Sequence, residues 1–138
     1  MDNCIFCKIV SGEIPSSKIY EDENVLSFLD VNPVNEGHSL IIPKKHFENI
    51  YDLPDEILCE IIKVSKKLSI KIKESMGADG INVYMNNGIT AGQQVPHAHI
   101  HIIPRLENDG FTYWHGKKSY SKEERNDAAE KISKALQG

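Results

Sequence analysis

The chain has 138 residues, of which 40% are hydrophobic and 26% are charged, a balance that predicts one folded domain over residues 1–138. Its formal net charge of −4 supplies no overall basic field, which argues against a nucleic-acid partner. No apolar run approaches the roughly 20 residues that cross a bilayer, and the polar N-terminus lacks the basic start and apolar stretch of a secretory signal. We therefore expect a cytoplasmic protein with no membrane partner.

The first half of the chain predicts a short helix, three strands and one long helix. Residues 4–10 favour a short helix or turn, and a loop follows over residues 11–17. Apolar runs predict strands at residues 19–20, 25–30 and 39–43, the last of which is stopped by its proline. A long helix follows, with Asp52 or Leu53 as its cap and Gly77 at its end, and Cys59 is expected in its apolar stripe and the core.

The second half predicts two more strands and a final helix. Alternation of apolar and polar residues indicates strands at residues 81–86 and 97–103. Ser121 and Glu124 are typical of a capped helix start, and that helix runs towards Leu136. These elements predict an α+β fold: an antiparallel sheet of about five strands with helices on one face, comprising a short N-terminal helix, one long central helix and a C-terminal helix.

Three histidines, His97, His99 and His101, alternate along the last predicted strand. Side chains two residues apart share one face of a strand, so three imidazoles would line up along one polar surface. Neutral imidazole is a nucleophile at neutral pH, and attack on phosphorus needs donors that take up charge on the phosphoryl oxygens. Candidate donors lie just upstream: Asn86, Gln93, Gln94 and the backbone amides of residues 88–92. The alternatives are a metal site made by the three histidines and an exposed face without function.

The segment His97-Ala98-His99-Ile100-His101-Ile102-Ile103 resembles the signature of the histidine triad (HIT) family. The similarity covers most of the chain before Arg105, through residues 4–9, Asp30, residues 37–46, 86–88 and 91–93. The resemblance implies a homodimer that binds nucleoside monophosphate moieties of purine nucleotides and hydrolyses or transfers nucleotidyl groups.

The same resemblance implies a role for each matching residue. His99 would form a covalent nucleotidyl-histidine intermediate, His101 would contact the α-phosphate, and His38 would complete the polar cluster. Asn86 and Gln93 would hold phosphate oxygens, while Asp30 would bind the ribose hydroxyls. Ile9 and Phe28 would frame the base. Two of these residues have a plain structural alternative, because Asp30 is equally suited to cap the following turn and Phe28 to fill the core.

One position departs from the family pattern. Many members carry Ser or Thr after the glutamine that corresponds to Gln93, and that hydroxyl helps with the phosphate or the leaving group. Gln94 stands there in this chain. An amide donates a hydrogen bond to the nucleotide but does not readily move a proton, so the sequence leaves open which leaving group is accepted.

A pair of cysteines, Cys4 and Cys7, has the spacing of metal ligands, although two small thiols near a terminus also serve as packing residues. His46 has no other assigned role, and His97 is the triad member that need not join the chemistry. These four residues predict a tetrahedral structural Zn²⁺ site, and zinc-bearing members of the HIT superfamily resemble this arrangement. Such a site would hold the N-terminus and the histidine strand in register.

The function expected from the sequence is hydrolysis of adenosine or guanosine 5′-phosphoramidates to a nucleoside monophosphate and an amine. A dinucleoside polyphosphate hydrolase of the same family is the first alternative, since residues 102–105 resemble that branch somewhat. A nucleotide-binding or interaction protein with little turnover is the second. Trp114 and His115 are expected in a loop that either covers a base, closes a dimer groove or packs on itself.

Overall fold

The computed structural model describes residues 3–112, 114 and 116–138, so His115 lies outside the described part of the chain. Its elements, in chain order, are α1 (Ile5–Ser11), β1 (Lys18–Glu21), β2 (Val25–Leu29), β3 (Ser39–Pro43), α2 (Asp55–Met76), β4 (Gly80–Tyr84), a single 3-10 turn (Ile89–Ala91), β5 (Ile100–Arg105) and α3 (Lys122–Gln137). The strands form one antiparallel sheet in the order β1-β2-β3-β5-β4. The predicted α+β class and five-stranded sheet are confirmed.

Helices cover both faces of the sheet, whereas the sequence predicted helices on one face. Strands β2 and β3 are apolar at consecutive positions, so each face of these strands needs a cover. On one face, Val25 and Ile41 pack with the buried stripe of α2. On the other face, Leu26 and Ile42 pack with α1 through Phe6 and its neighbours. The short helix α1 is therefore a wall on the opposite side of the sheet from α2.

The long helix α2 begins one or two residues later than predicted and buries one narrow stripe. Its N-cap is Pro54, while the carboxylate of Asp52 accepts a hydrogen bond from the Glu48 amide at 3.3 Å. Gly77 ends the helix with a left-handed φ of 62°, as expected. The buried positions recur at helical spacing: Ile61, Val64, Ser65, Leu68 and Ile72. Cys59 lies off this stripe and is exposed, so its expected place in the core was wrong.

Strand β5 begins at Ile100, three residues later than predicted. The chain bends before it, because the His97 amide donates to the Val95 carbonyl at 2.8 Å and the Ala98 amide donates to the Phe47 carbonyl at 2.7 Å. Those bonds replace the ladder that a longer strand would have formed. As a result His97 leaves the line of the strand, while His101 stays within it.

The C-terminal helix α3 projects from the body of the protein, and none of its described residues is buried. Ser121 caps it as predicted, accepting a hydrogen bond from the Glu124 amide at 3.1 Å. In the described part of the chain, no helix combines the length and the apolar character needed to cross a bilayer.

Candidate active site

A cavity of about 530 Å³ opens on the face of the sheet that α1 covers. Its walls come from α1, from the ends of β2 and β3, and from β5 with the segment before it. The cavity brings together most of the residues predicted from the sequence: Ile9, Phe28, Asp30, His38, Asn86, Gln94, His99 and His101. His97 and Gln93 are not among the lining residues.

The imidazole of His99 is buried and has a defined tautomer. Its Nδ1 lies 2.7 Å from the carbonyl oxygen of His97, and a carbonyl only accepts hydrogen bonds. The ring proton is therefore on Nδ1, and Nε2 carries a lone pair. Burial lowers the pKa of His99, although the His97 carbonyl and the charge of Asp30 oppose this shift. The ring is neutral at pH 7, which is the state that a nucleophile requires.

Two successive hydrogen bonds, from the Val34 amide to His38 and from His38 to His101, orient these two rings. The Val34 amide donates to Nδ1 of His38 at 3.0 Å, so the proton of this neutral ring is on Nε2. That Nε2 lies 2.9 Å from Nδ1 of His101 and donates to it. His101 consequently keeps its own proton on Nε2, as a donor for a ligand in the cavity. Burial, with smaller contributions from His99 and His38, lowers the pKa of His101 to about 4, and burial also lowers the pKa of His38.

Asp30 lies at the rim of this cluster, directly after β2. One of its oxygens, Oδ2, is 3.6 Å from Nε2 of His38. The other, Oδ1, accepts a hydrogen bond from the Asn32 amide at 2.9 Å. Asp30 thus caps the turn and also lines the cavity, so the two interpretations of this residue are compatible.

Two aromatic residues that the sequence analysis missed hold the reactive imidazoles in place. The ring of Phe6 meets His99 edge-on, with centroids 5.1 Å apart and planes at 89°. The ring of Tyr84 stacks on His101, with centroids 4.9 Å apart and planes at 20°. The sequence carried a signal for Tyr84, because the alternation of residues 81–86 puts it on the same face as the predicted donor Asn86. The pairing of residues 84 and 101 across β4 and β5 brings it to His101. Phe6 gave no such signal, because its contact joins a helix to a distant strand.

The side chain of Gln93 is engaged with the backbone around the loop of residues 88–92. Its Nε2 donates to the carbonyls of Glu48 at 2.6 Å and Val95 at 3.0 Å, and its Oε1 accepts from the Gly88 amide at 2.8 Å. A contact with phosphate would require Gln93 to release at least one of these bonds. In this geometry it braces the loop, while Gln94 and Asn86 reach the cavity.

Four side chains converge on a second site behind α1. The Sγ of Cys4 is 3.4 Å from Nδ1 of His97, and the Sγ of Cys7 is 3.4 Å from Nδ1 of His46. The two Nδ1 atoms are 3.2 Å apart, and all four ligand atoms lie within 4.8 Å of one another. Zinc bound tetrahedrally to two sulfurs and two nitrogens separates its ligand atoms by roughly 3.3–3.8 Å. The donor set and its spacing therefore fit a zinc ion.

The tautomer of His97 also fits a metal. Its Nε2 lies 2.8 Å from the Pro43 carbonyl and donates to it, so the lone pair of the neutral ring is on Nδ1, which faces the two sulfurs. Burial lowers the pKa of His97 to about 4, which keeps the ring neutral. The Asp30, His38 and His101 group is equally close in space. It is a poorer metal site, because the Val34 amide keeps a proton on the nitrogen of His38 that would have to bind the ion.

Comparison with known proteins gives the family. The model of the HIT domain matches residues 11–108. An adenosine 5′-monophosphoramidase of Candida albicans is 47% identical over 109 residues, which are 76% of this chain and 72% of that protein. A crystal structure from Streptococcus mutans superposes with a TM-score of 0.92 at 40% identity, covering 99% of this chain and 87% of that one.

A further structure is described as a Zn-bound histidine triad family protein from Mycobacterium smegmatis. It superposes with a TM-score of 0.77 at 34% identity, covering 97% of this chain and 98% of that one. The domain match spans more than half of the chain and carries the histidine segment. This protein belongs to the HIT family.

Proposed function

We propose that this protein is a nucleotide hydrolase that cleaves nucleoside 5′-phosphoramidates, with purine nucleotides preferred, through a covalent intermediate on His99. The observation that carries the proposal is the hydrogen bond from Nδ1 of His99 to the His97 carbonyl at 2.7 Å. It leaves Nε2 of a buried neutral ring as a nucleophile in the wall of a cavity. The relative from Candida albicans, named an adenosine 5′-monophosphoramidase, supports the same substrate class.

The reaction proceeds in two displacements at the α-phosphorus. Nε2 of His99 forms a bond to phosphorus, the P–N bond to the amine breaks, and the amine departs with a proton taken from solvent, which the attacking water of the second step returns. Water then attacks phosphorus, the bond to Nε2 breaks, and the nucleoside monophosphate is released. The Nε2–H of His101 and the amides of Asn86 and Gln94 donate to the phosphoryl oxygens as negative charge grows on them. Asp30 takes the ribose hydroxyls, and Ile9 and Phe28 flank the base.

The tautomers explain why two histidines of the triad have different tasks. His99 presents a lone pair, because a carbonyl holds its proton. His101 presents a proton, because His38 donates to its other nitrogen. If both rings had the tautomer of His99, two lone pairs would face the phosphoryl group. If both had the tautomer of His101, two N–H groups would face it. The backbone carbonyl and the backbone amide that orient these rings therefore belong to the mechanism.

The assay that tests this function compares wild type with His99→Ala on an adenosine phosphoramidate. We expect turnover to fall by about 10³-fold or more, since the nucleophile is removed, while binding of adenosine 5′-monophosphate stays within a few-fold of wild type. Wild-type protein quenched in acid during turnover should carry a nucleotidyl adduct that maps to His99. Turnover retained by the variant, or an adduct on another residue, would falsify the assigned nucleophile.

A second substrate class separates the alternatives. The resemblance of residues 102–105 to dinucleoside polyphosphate hydrolases rests partly on Arg105. Its guanidinium binds the Asp109 carboxylate through two contacts of 2.7 and 2.8 Å, and Arg105 is not among the residues lining the cavity. We therefore expect the phosphoramidate to be hydrolysed faster than a diadenosine polyphosphate in parallel assays. A faster polyphosphate reaction favours that branch, and turnover of neither favours a binding protein.

We also propose that Cys4, Cys7, His46 and His97 bind one structural zinc ion. Four protein ligands leave no open position, so the ion would stabilise α1 and the start of the histidine segment and take no part in the displacement. Protein purified without chelator should contain about one zinc per chain, measured by elemental analysis. A content below about half of that value counts against the site.

We propose, finally, that the protein is a homodimer. Strand β4 lies at one edge of the sheet, and its sequence Gly-Ile-Asn-Val-Tyr carries no charge and no proline. Val83 and Tyr84 are 46% and 41% exposed there. An uncharged apolar edge strand is a template for pairing with another strand. A second copy of the chain satisfies that edge by symmetric pairing.

A further inference from the structure

The helix α1 is a wall shared by the two sites. Ile5, Phe6 and Ile9 of this helix line the cavity that holds His99. Cys4 at its N-cap and Cys7 in its first turn point to the opposite side, towards His46 and His97. A change in the state of the two sulfurs is therefore a change at the wall of the cavity.

The two cysteines are placed so that they can be joined covalently. They are three residues apart at the start of a helix, where side chains at this spacing are neighbours, about 5–6 Å between Cβ atoms. The Cys7 amide already donates to the Sγ of Cys4 at 3.4 Å, and the two sulfurs lie within 4.8 Å of each other. A disulfide needs Cα atoms about 4.4–6.8 Å apart, which this spacing allows after a small turn of the side chains.

The pair is also within reach of a small oxidant. Cys4 is only 9% exposed, and its exposed part lines an open groove of about 510 Å³ together with Asn3, His46 and Pro96. Cys7 is half-buried. Hydrogen peroxide is no larger than two waters, so the groove admits it. The remaining cysteine, Cys59, is exposed on α2 and has no part in this cluster.

The contact that transmits the change is Phe6, which lies between the two cysteines in the chain. Its ring meets His99 at 5.1 Å, His97 at 5.8 Å and Phe28 at 5.5 Å, each measured between ring centroids. Because Phe6 stands between the two cysteines in the chain, a disulfide of roughly 2.05 Å that joins them constrains the backbone that positions this ring. Through Phe6 the constraint acts on the packing around His99 and on the apolar wall of the cavity.

We propose that Cys4 and Cys7 are a redox-sensitive modification site, at which peroxide forms a reversible disulfide that weakens nucleotide binding beside His99. In the first step one thiol loses its proton to water, and the resulting thiolate attacks peroxide, giving a sulfenic acid and hydroxide. In the second step the other thiolate attacks that sulfur, the S–S bond forms, and a second hydroxide leaves. Two electrons pass from the sulfurs to the peroxide. The four residues would hold a zinc ion, and the disulfide would remove two of those ligands, so oxidation would release the ion.

The inference rests on the proposed nucleotide site, and its coupling must run in both directions. If oxidation lowers the affinity for a nucleotide, then bound nucleotide makes oxidation less favourable by the same factor. A dithiol in a reducing compartment returns to the thiol form when the oxidant is removed. Oxidation of the two cysteines therefore weakens nucleotide binding until the disulfide is reduced.

The test uses full-length protein with Cys59→Ser, which removes the exposed thiol and leaves both sites intact. The reduced protein is treated with hydrogen peroxide. Peptide mapping then locates the disulfide, a colorimetric chelator measures released zinc, and calorimetry measures the Kd for adenosine 5′-monophosphate. We expect a Cys4–Cys7 link, one zinc released per link, and a Kd raised at least about fivefold, the lower end of typical coupling between sites. Dithiothreitol with added zinc should restore the Kd.

The matched control adds Cys7→Ser to the same protein. Peroxide cannot form the disulfide in this variant, so its Kd should be the same before and after peroxide treatment. The proposal is overturned if Cys4 and Cys7 remain thiols, if they are oxidised without a link, or if the link forms and the Kd does not change. If the reduced protein contains no zinc, only the metal proposal is refuted. The disulfide and the change in Kd still test the redox proposal. Reduced protein that fails to bind the nucleotide refutes the proposed function before any oxidation, and the coupling falls with it.

Discussion

Backbone groups fix the tautomers of His97, His99 and His38, and His38 in turn fixes that of His101. The Pro43 carbonyl fixes the proton of His97 on Nε2, and the His97 carbonyl fixes that of His99 on Nδ1. The Val34 amide fixes the lone pair of His38. Without these partners, neutral imidazole exists as two tautomers that present opposite atoms to a ligand. The arrangement of the backbone, more than the identity of the side chains, thus assigns nucleophile, donor and metal ligand.

A residue-scale prediction concerns His101 and the pH dependence of stability. Its pKa is about 4 in the folded protein because of burial, and about 6.5 when the chain is unfolded. Between these values the unfolded chain binds the extra proton first, so the free energy of unfolding falls as the pH drops from 6.5 to 4. His99, His38 and Asp30 are the charged or titratable groups that act on this ring.

The variant His101→Asn removes this titration and retains an oxygen that accepts from His38. The free energy of unfolding is measured with denaturant at pH 7, 6 and 5. As the pH drops, it should fall less steeply for the variant than for wild type, by up to about 1 kcal/mol per pH unit. Groups that do not act on this ring contribute equally in both proteins and cancel in the difference. Parallel curves for the two proteins would contradict the depressed pKa of His101.

At the residue scale, the sequence predicted which residues line the cavity better than it predicted the contacts that hold them. The alternation predicted that His99 and His101 share one face, the segment upstream offered Asn86 as a donor, and the family resemblance added Asp30 and His38; all five line the cavity. The brace formed by Gln93 was not predictable, because it depends on three carbonyl and amide groups from separate segments. Phe6 and its contact with His99 were missed for the same reason: both partners are obvious only after α1 has been placed on the sheet.

At the scale of elements, strand β5 shows what local alternation cannot reveal. The pattern of residues 97–103 is that of a strand, yet the ladder begins at Ile100, because the Phe47 carbonyl captures the Ala98 amide. The bend turns His97 towards Cys4 while His99 and His101 face the cavity. Periodicity predicted the element, and tertiary hydrogen bonds decided where it starts.

The helix α1 gives an element-scale prediction. Cys4→Ser removes one sulfur from the proposed zinc site, yet serine is a good N-cap and its hydroxyl accepts from the Cys7 amide as the sulfur does. The helix cap is therefore kept, and the part of the stability loss that a chelator reproduces in wild type reports the metal site and not the packing of the buried Cys4. We expect the free energy of unfolding to fall by at least about 2 kcal/mol, because metal binding adds to folding.

The control for this prediction is Cys59→Ser, which changes an exposed thiol on α2 and should shift stability by less than about 0.5 kcal/mol. Adding a chelator should destabilise wild type and leave Cys4→Ser nearly unchanged. If Cys4→Ser and Cys59→Ser are equally stable in the presence of zinc, the metal does not stabilise α1.

At the scale of the whole molecule, the two edges of the sheet differ in kind. Strand β1 carries an ion pair between Lys18 and Glu21 and has a bulge in its register, both of which discourage pairing with another chain. Strand β4 is uncharged along its length. Helix α3 also exposes apolar side chains, those of Ile132 and Leu136. An isolated helix of this length is marginally stable in water.

The difference between the edges leads to a prediction about assembly. If two copies pair through β4, then Val83→Lys places one lysine on each side of the symmetric contact, and the desolvated like charges oppose association. The matched control is Ile19→Lys, which adds the same charge to the exposed face of β1 at the opposite edge. Sedimentation velocity at micromolar concentration should give a dimer for wild type and for Ile19→Lys, and a monomer for Val83→Lys. A dimer that survives Val83→Lys, or a wild-type monomer, would exclude β4 as the interface.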